Sequence, residues 1–434
     1  MKKVLSTIFV VLCLSGVLFA GGKVEQAAPS GAPINFSVIS HRVHNTVITT
    51  GPGGDMLAEW KQANNIQDVE WITLGNDDIH AKLFMEASLP ATDIGVAFVL
   101  NTYLTPDTMN LFEPLTSFMA SKPVEDLEDI SPGLRDAATS DGVLYGIPFR
   151  HATSSLHYNE AILKERGFDG PPTTIEEMID MIPQLTYKQA DGTQVYGFVL
   201  PGKGQLHANF VDLARAWDGD YITGDFKVKA NETGMVNALS LMNRLFKNGM
   251  FPSNFTAIEN NDLNTWMQQG RVAMTFSSTG RTVFYNDATQ SKYPGSFKTV
   301  PIPISESLKD KYEVAPAKTE FWCMMIPKNS RYKDLAWDFI VKISSKDSTL
   351  RAALNGNGPT RSSTYLDKAY QDKVSYWETE QKVLKVARVP LPGFKDAQKA
   401  ADLYSEYSQM AIIGVKPVQE AMDELVKLVT PLLP

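Results

Sequence analysis

The chain has 434 residues, of which 43% are hydrophobic and 21% are charged, a balance typical of a globular protein. This length exceeds what one compact core usually spans, so it predicts two lobes or domains. The formal net charge is −8 and the sequence contains no basic run, which argues against a nucleic-acid-binding surface.

The first 22 residues have the pattern of a secretory signal peptide. Lys2 and Lys3 precede an apolar run that reaches Ala20, and cleavage is expected after Ala20 or Gly22. An uncleaved membrane anchor is disfavoured, because the run is short for a span and a flexible linker rich in Ala, Pro and Gly follows at 23–33. We therefore expect an exported protein, in the periplasm or at the cell surface.

The two cysteines predict no intrachain disulfide. Cys13 lies in the apolar run and would leave with the signal peptide, so Cys323 would remain alone. Lipidation of Cys13 is disfavoured because the apolar run continues past it. Cys323 lies in the apolar segment 321–326, and we expect a buried, inert thiol there.

Strands and helices alternate through the first hundred residues of the mature chain. The predicted elements are a strand at 34–38, a polar loop at 40–45, a helix at 55–63, a strand at 69–74, a helix capped by Asn76-Asp77-Asp78 with Ile79, Leu83, Phe84 and Ala87 on its apolar face, and a strand at 93–100. The last strand is almost wholly apolar, as in strands buried on both faces of a parallel sheet. This order is the α/β pattern.

The same alternation continues through the rest of the chain. Thr174 and Glu177 form a capping box at the start of a helix. Further strands are predicted at 195–200, at 272–276 and at 321–326. A helix that carries Leu335, Phe339, Ile340 and Ile343 follows the last strand, and a C-terminal helix starts at Pro417.

The motifs of common catalytic and metal sites do not appear in the sequence. It lacks the Gly-x-Ser-x-Gly, His-Glu-x-x-His and Gly-x-x-x-x-Gly-Lys-Ser/Thr patterns. His41 and His44 have a spacing that metal ligands use, but no carboxylate or cysteine stands beside them. Asp77-Asp78-x-His80 is explained by the helix cap alone, so no metal site, cofactor or catalytic residue is predicted.

Aromatic residues are candidate contacts for a sugar, because flat rings stack on the C–H faces of sugars. The chain has 7 Trp and 15 Tyr. Trp337 lies near the apolar face of a helix and is expected in the core. Trp217 and Trp322 are the better ligand candidates, although most tryptophans are core residues.

Six passages, taken in order, resemble the extracellular solute-binding proteins of ABC importers, family 1, the maltose-binding-protein-like group. They are 142–148 with 156–159, 171–178, 269–276, 326–330 with 336–339, 358–363, and 414–422. Gly142-Val143-Leu144-Tyr145-Gly146-Ile147-Pro148 is similar to the family's passage before its Tyr-Asn pair. The resemblance covers nearly the whole mature chain.

This resemblance implies an α/β, two-lobed periplasmic-binding-protein fold with crossing hinge segments. Lobe one would contain 34–148 and 280–325, lobe two would contain 149–279 and 326–434, and the chain would cross near Pro148, Gly280 and Ile326. The implied function is the capture of a sugar or oligosaccharide in the interlobe cleft by a monomer, without catalysis. The implied partners are the permease subunits of an ABC importer.

Carried over position by position, the resemblance places candidate ligand contacts on loops at strand ends and on one helix start. They are His41, Arg42, Asn101, Tyr103, Arg150, His151, His207, Asn209, Ser278, Thr279, Arg281, Trp322 and Arg361. Trp217 joins this set as an aromatic candidate for a sugar contact. Polar loops after parallel strands collect at one sheet edge, where ligands bind. Sugar-binding members often have an aromatic ring after the strand at 272–276, where this chain has Gly280-Arg281.

Two further hypotheses concern an alternative function and the charge of the ligand. A secreted glycosidase is the alternative function, but it requires a carboxylate pair across a cleft, and no acidic pair stands at successive strand ends. Arginine and histidine recur there instead, at Arg42, Arg150, His151, His207, Arg281 and Arg361. Since arginine binds carboxylates with two parallel hydrogen bonds, we expect a ligand that carries negative charge or many acceptor oxygens.

Overall fold

The fold is known from a computed structural model that describes residues 34–50, 54–203 and 206–434. Asn35–Pro434 form one compact unit. The predicted signal peptide and linker lie outside the described residues. No helix in the described ranges combines the length and the apolar character that crossing a membrane requires.

The described residues form a set of strands, numbered in chain order. They are β1 (Ser37–His41), β2 (Glu70–Leu74), β3 (Ile94–Leu100), β4 (Thr139–Ser140), β5 (Val143–Leu144), β6 (Ile147–Asn159), β7 (Tyr187–Lys188), β8 (Gln194–Phe198), β9 (Val272–Ser278), β10 (Phe297–Val300) and β11 (Thr319–Met325). All but β4 and β5 belong to one mixed sheet, in the order β2-β1-β3-β11-β6-β9-β8-β7, with β10 paired to β6.

The helices surround this sheet. They are α1 (Arg42–Thr49), α2 (Ala58–Ala63), α3 (Asn76–Ala87), α4 (Pro106–Met109), α5 (Thr116–Ser121), α6 (Pro132–Ala137), α7 (Glu160–Glu165), α8 (Ile175–Gln184), α9 (Leu206–Arg215), α10 (Thr233–Lys247), α11 (Asn260–Gln268), α12 (Arg281–Tyr285), α13 (Lys333–Ile343), α14 (Lys346–Leu354), α15 (Lys368–Lys373), α16 (Trp377–Val386), α17 (Ala397–Ile413) and α18 (Val418–Val429). Short 3₁₀ helices lie at Asn101–Tyr103, Leu127–Asp129, Phe255–Ala257, Glu306–Leu308, Ser362–Leu366 and Thr430–Leu432.

The first half of the sheet has the predicted α/β character. β1 pairs in parallel with β2 and with β3, and every residue of β3 is buried. An all-apolar strand is stable there because its two faces are both covered. α13 packs on β3, and Trp337 on that helix is 2% exposed, which confirms it as a core residue.

β6 joins the two halves of the sheet. It pairs antiparallel with β11 from Ile147 to Thr153 and then with β9 from Ser154 to Tyr158. We therefore call 35–153 and 319–386 the first lobe, and 154–318 and 387–434 the second lobe. The second lobe has its own apolar core, built from α8, α9, α10, α17 and α18 around β8 and β9.

Three chain segments cross between the lobes side by side. They are β6 at Thr153–Ser154, the start of β11 at Lys318–Thr319, and the chain near Arg388. The Ser154 N–H donates to the Lys318 carbonyl (3.0 Å), and the Thr319 N–H donates to the Arg388 carbonyl (2.9 Å). These bonds make the three crossings one narrow ladder, the geometry of a hinge.

The lobe boundaries expected from the sequence differ from this packing. Phe297, Ile302 and Ile304 lie in the core of the second lobe, although 280–325 was expected in the first. α13 packs on β3 in the first lobe, although 326–434 was expected in the second. Crossing points depend on long-range strand pairing, and the residues at them carry no local pattern.

Several local predictions are confirmed and three are wrong. Phe84, expected on the apolar face of α3, is 41% exposed. Thr174 and Glu177 form the capping box of α8, and Cys323 is buried, which raises the pKa of its thiol. The predicted polar loop at 40–45 is instead the start of α1, where the Val43 N–H donates to His41 Nδ1. Asn76-Asp77-Asp78 form the first turn of α3 and not its cap, which is Gly75.

Candidate functional site

A large cavity lies beside the three crossings, between the two lobes. Its volume is about 1060 Å³. The first lobe contributes His41, Val43, Gly356, Ser375 and Tyr376; the central strands contribute Arg150, Ala152, Ser154, Phe276, Ser277, Ser278, Lys318 and Glu320; the second lobe contributes Asn209, Asn260, Asn264, Gly280, Arg281, Thr282, Val283, Phe284, Asn286 and Asp287. We call this space the hinge cavity.

Strand alternation decides which residues of β6 reach the hinge cavity. Successive side chains of a strand point to opposite faces, so Arg150, Ala152 and Ser154 share one face. All three line the cavity. His151 and Thr153 face the other way, where His151 Nδ1 lies 3.0 Å from Thr153 Oγ1.

Two guanidinium groups enter the hinge cavity without a carboxylate partner. Arg150 rises from β6, and Arg281 is the first residue of α12. In the described part of the chain, neither has a carboxylate oxygen within 4.0 Å, and Arg150 makes one long bond of 3.5 Å to Asn357 Oδ1. Burial lowers the pKa of Arg150; the charge of Glu380 opposes this shift and the charge of Arg281 adds to it.

α9 ties one wall of the hinge cavity to the crossing at Lys318. Lys318 Nζ donates to Asn209 Oδ1 (2.9 Å), and the Lys318 N–H donates to Asp212 Oδ1 (2.6 Å). Asp212 is fully buried, and burial raises the pKa of its carboxyl group. These bonds fix Lys318. Asn209 Nδ2 donates to the Pro201 carbonyl (3.2 Å), so the amide that Asn209 presents at the cavity wall is held at both polar atoms.

Two exposed apolar side chains and a tyrosine give the hinge cavity its flat surfaces. Phe284 and Val283 on α12 are 41% and 68% exposed. Tyr376, just before α16, lies across from Gly280, where an added Cβ would be 3.6 Å from the tyrosine Oη. Rings at 284 and 376 therefore flank a space whose other walls include polar side chains such as Arg150, Asn209 and Ser278, an arrangement suited to a sugar.

A second cavity of about 710 Å³ lies next to the first and is also lined from both lobes. Tyr103 comes from the first lobe, and His207 from α9 in the second. A chain of rings joins the two spaces: His41 is 6.5 Å from Trp322, which is 6.0 Å from His80, which stacks on Tyr103 at 3.6 Å. We call the second space the side cavity.

A comparison with protein families identifies the family to which the chain belongs. Residues 55–376 match the model of the bacterial extracellular solute-binding proteins. The chain belongs to this family. This is a family of extracellular solute-binding proteins.

Solved structures confirm the fold of the solute-binding protein. Maltose-bound MalE3 of T. maritima has a TM-score of 0.75 at 21% identity, over 92% of this chain and 99% of that chain. An ABC transporter solute-binding protein of Agrobacterium radiobacter K84, in complex with ribitol, has a TM-score of 0.74 at 19% identity, over 92% and 100%. Both support the two-lobed α/β fold with crossing segments.

A curated relative matches over a shorter stretch. The galactooligosaccharide-binding protein of Bacillus subtilis (strain 168) is 27% identical over 156 residues, which are 34% of this chain and 35% of the relative. The match thus spans about a third of either protein.

The structure brings seven of the fourteen predicted ligand contacts to the two cavities. The hinge cavity receives His41, Arg150, Asn209, Ser278 and Arg281, and the side cavity receives Tyr103 and His207. Burial lowers the pKa of His41, and the charges of Arg150 and Arg42 add to the shift. Burial also lowers the pKa of His207, to about 4. Both rings are therefore mainly neutral at pH 7.

The other seven line neither cavity. Arg42 is exposed at the start of α1, and Trp217 packs against the core of the second lobe. Asn101 is buried, and its Oδ1 accepts the Phe321 N–H (2.8 Å). Thr279 is buried and donates to the Thr153 carbonyl (2.7 Å). These residues were expected at the ligand because they follow strands. In the structure, Asn101 and Thr279 bond to the backbone and Trp217 packs in the core.

Arg361, a predicted ligand contact, lines neither cavity. Its side chain is fully buried, and its nitrogens donate to the carbonyls of Ser344, Asp126 and Glu125 at 2.6 to 2.8 Å. Asp129 Oδ2 lies 3.4 Å from Nη1. The guanidinium is therefore fully used within the first lobe, where it joins the 125–129 turn to the end of α13.

The side chain of His151 also lines neither cavity and bonds to other side chains of the protein. It is buried behind β6, and its Nε2 lies 2.8 Å from Tyr365 Oη. Burial lowers the pKa of His151 to about 3, and the charge of Arg150 contributes. Arg150 and His151 are adjacent in sequence, but only Arg150 faces the cavity.

The histidine pair considered as metal ligands is part of an aromatic cluster. His44 is fully buried, stacks on Phe98 at 4.6 Å, and its ring centroid is 6.3 Å from that of His41. Over residues 34–50, 54–203 and 206–434, no group of three or more His, Cys, Asp or Glu side chains is placed to hold a metal ion.

Sequence reasoning missed the residues that give the cavity its flat surfaces. Phe284 and Tyr376 were not among the candidates. The signal for Phe284 was available, since Val283-Phe284 are two consecutive apolar residues in a short, otherwise polar segment after β9. Tyr376 follows no predicted element, and only the packing of α16 on β6 brings it to the cavity.

Trp322 was predicted to stack on the ligand, but the structure packs it among rings. It is 8% exposed, and its ring lies 4.9 Å from His44 in an edge-on arrangement. We expect Trp322→Phe to lower the free energy of unfolding by about 1–2 kcal/mol, because the smaller ring leaves a void, while sugar affinity stays within about threefold. Urea denaturation and sugar titration measure the two effects. A stable variant with more than tenfold weaker binding would instead support ring stacking.

Proposed function

We propose that this solute-binding protein captures a carbohydrate in the hinge cavity, in the periplasm or at the cell surface. It does so as a monomer and without catalysis, and it delivers the sugar to the permease subunits of an ABC importer. The observation that carries the proposal is the combination, between two lobes, of exposed rings at Phe284 and Tyr376 with the polar groups of Asn209, Arg150 and Ser278. Rings cover the C–H faces of a sugar, and polar groups bind its hydroxyls.

The size of the cavity agrees with this proposal. Small-molecule sites usually occupy about 300–1,000 Å³, and the hinge cavity, at about 1060 Å³, is slightly larger than the upper end of that range. The side cavity adds room in the same interlobe region. Relatives whose names state galactooligosaccharide or maltose binding, and one with bound ribitol, support a carbohydrate or polyol as the ligand class.

A thermal-shift screen of the purified protein tests the proposal. The panel consists of neutral sugars, acidic sugars and polyols, each as monomer and short oligomer where available. A ligand at 100 times its Kd stabilises the folded state by about 2.7 kcal/mol. At least one sugar should raise the melting temperature in this way. A folded protein that no member of the panel stabilises would contradict the proposal.

Matched aromatic variants locate the site. Phe284 in the hinge cavity and Phe84 on the outside of α3 are both 41% exposed. We expect Phe284→Ala to weaken sugar binding about tenfold or more because it removes a ring from the ligand surface, and Phe84→Ala to leave affinity unchanged. Calorimetric titration measures both. Equal effects of the two variants would place the sugar elsewhere.

We expect the lobes to close on the sugar. In the described residues, three segments cross between the lobes, at Thr153–Ser154, Lys318–Thr319 and Arg388, and the lobes can rotate about this ladder. Small-angle scattering at ligand saturation should show a smaller radius of gyration than scattering of the free protein. An unchanged profile at saturation would count against closure.

A further inference from the structure

The hinge cavity contains a pair of cations that a neutral sugar does not explain. Arg150 projects from its floor, and Arg281 from its second-lobe wall. Each lines the cavity, and in the described residues no carboxylate oxygen lies within 4.0 Å of either guanidinium. The two groups are close enough for the charge of Arg281 to lower the pKa of Arg150. Like charges that share a partly desolvated space are unfavourable until an anion enters.

The remaining charges of the cavity wall do not neutralise this pair. Lys318 is a third cation, and it is bonded to Asn209. Asp287 points to Thr289, whose N–H and hydroxyl both donate to it, at 2.8 and 2.7 Å. Glu320 on β11 pairs in register with Ala152 on β6, and the carboxylate oxygens of Glu320 are more than 4.0 Å from the nitrogens of Arg150. Outside the wall, the charge of the buried Glu380 also acts on Arg150, but burial raises the pKa of Glu380 to about 7, so this carboxyl group is only partly charged near neutral pH. The wall itself carries three cations against two carboxylates, in a protein whose net charge is −8.

An aromatic ring accompanies each arginine. Phe284 is on the same short helix as Arg281. Tyr376 is close enough to Arg150 to affect the pKa of that guanidinium group. Tyr376 Oη also lies beside Gly280, the residue before Arg281. Tyr376 thus lies near both arginines, and a ligand held between them would meet a ring on either side.

We propose that the ligand is an acidic sugar whose carboxylate binds between Arg150 and Arg281, a uronic acid or a short oligomer of one. This inference rests on the proposed function and names its substrate class. Arginine donates two parallel hydrogen bonds to a carboxylate, which a hydroxyl cannot match in strength. Phe284 and Tyr376 contact the sugar ring, while the two guanidinium groups hold its acid group.

Calorimetric titration with paired probes tests the assignment. The probes are D-galacturonate and digalacturonate, each against its neutral parent, galactose or galactobiose, at low and at moderate salt. At least one acid should bind ten times or more tighter than its neutral parent, which is about 1.4 kcal/mol, and added salt should weaken the acid more than the parent. Arg150→Gln and Arg281→Gln should each reduce acid affinity at least tenfold. Arg166→Gln, an exposed arginine on the outside of the second lobe, is the control and should change nothing.

The outcomes separate this inference from the proposed function. A neutral parent that binds as tightly as its acid, or acid binding that survives both arginine variants, overturns the acidic-sugar assignment and leaves sugar capture intact. Uronates that fail to bind while neutral sugars bind have the same meaning. If no neutral or acidic sugar binds the folded protein, both the assignment and the proposed function fail.

Discussion

Arg361→Met is expected to lower the free energy of unfolding by about 3–5 kcal/mol, because it removes a fully buried cation and leaves its partners unsatisfied. The lost bonds are those to the carbonyls of Ser344, Asp126 and Glu125, and the contact with Asp129. Urea denaturation followed by tryptophan fluorescence measures the change. Sugar affinity of the remaining folded protein should be unchanged, since Arg361 lines neither cavity.

The control is an arginine whose ion pair is exposed. Arg331 lies 2.7 Å from Asp93, with its side chain 56% exposed, and Arg331→Met should cost less than about 1 kcal/mol. If Arg361→Met were as stable as the wild type but lost sugar binding, Arg361 would be a ligand contact after all, and the lobe assignment of 358–363 would be wrong.

Glu380→Gln is expected to change how stability depends on pH. Glu380 is buried behind β6, where it accepts a hydrogen bond from Tyr370 Oη (2.6 Å) and lies 4.0 Å from His151 Nε2. Burial raises the pKa of Glu380 to about 7, although the hydrogen bonds from Tyr370 and Tyr365 and the charge of Arg150 oppose the shift. A carboxyl group raised in this way stabilises the fold below its unfolded pKa, near 4.5, and that contribution is lost as pH rises through 7.

The size of the effect follows from the shift. From about pH 4.5 to above pH 7, Glu380 should reduce the free energy of unfolding by about 3 kcal/mol relative to the glutamine variant. The histidines act in the opposite direction: burial lowers the pKa of His151 to about 3 and that of His157 to about 4, so their contribution is lost as pH falls below 6.5. The test is therefore the difference between wild type and Glu380→Gln at each pH, from urea denaturation at pH 5 to 8.

Glu378→Gln, exposed on the same helix, controls for the removal of one carboxylate. A constant difference between wild type and Glu380→Gln from pH 5 to 8 would show that Glu380 does not change its protonation in this range. In that case the carboxyl group would be either permanently neutral or better solvated than its 4% exposure indicates.

Local sequence patterns predicted many of the helices and strands, because a capping box or an apolar run acts on residues that are neighbours in the chain. The apolar segment at 93–100 became the fully buried β3, and the Thr174–Glu177 box starts α8 as expected. The interlobe crossings could not be predicted in the same way. Their positions follow from which half of β6 pairs with β11 and which with β9, and neighbouring residues do not encode that choice.

The site was predicted in part, for a similar reason. Arg150, Arg281 and Asn209 line the hinge cavity, as the resemblance implied, and their contact with a ligand stays a prediction. The sequence does not show which side chains are already used elsewhere. Arg150 follows one passage that resembles the family and Arg361 lies within another, and only the three-dimensional partners of the two guanidinium groups distinguish them.

A crystal structure of the protein with the tightest sugar of the panel tests the central claim most directly, namely that the solute binds between the lobes. The account predicts the sugar in the hinge cavity, in contact with Phe284 and Tyr376 and with polar atoms at Arg150 and Asn209, and with the lobes closer together than in the free protein. A sugar bound outside both interlobe cavities, or in the hinge cavity without contact to either ring, would contradict it.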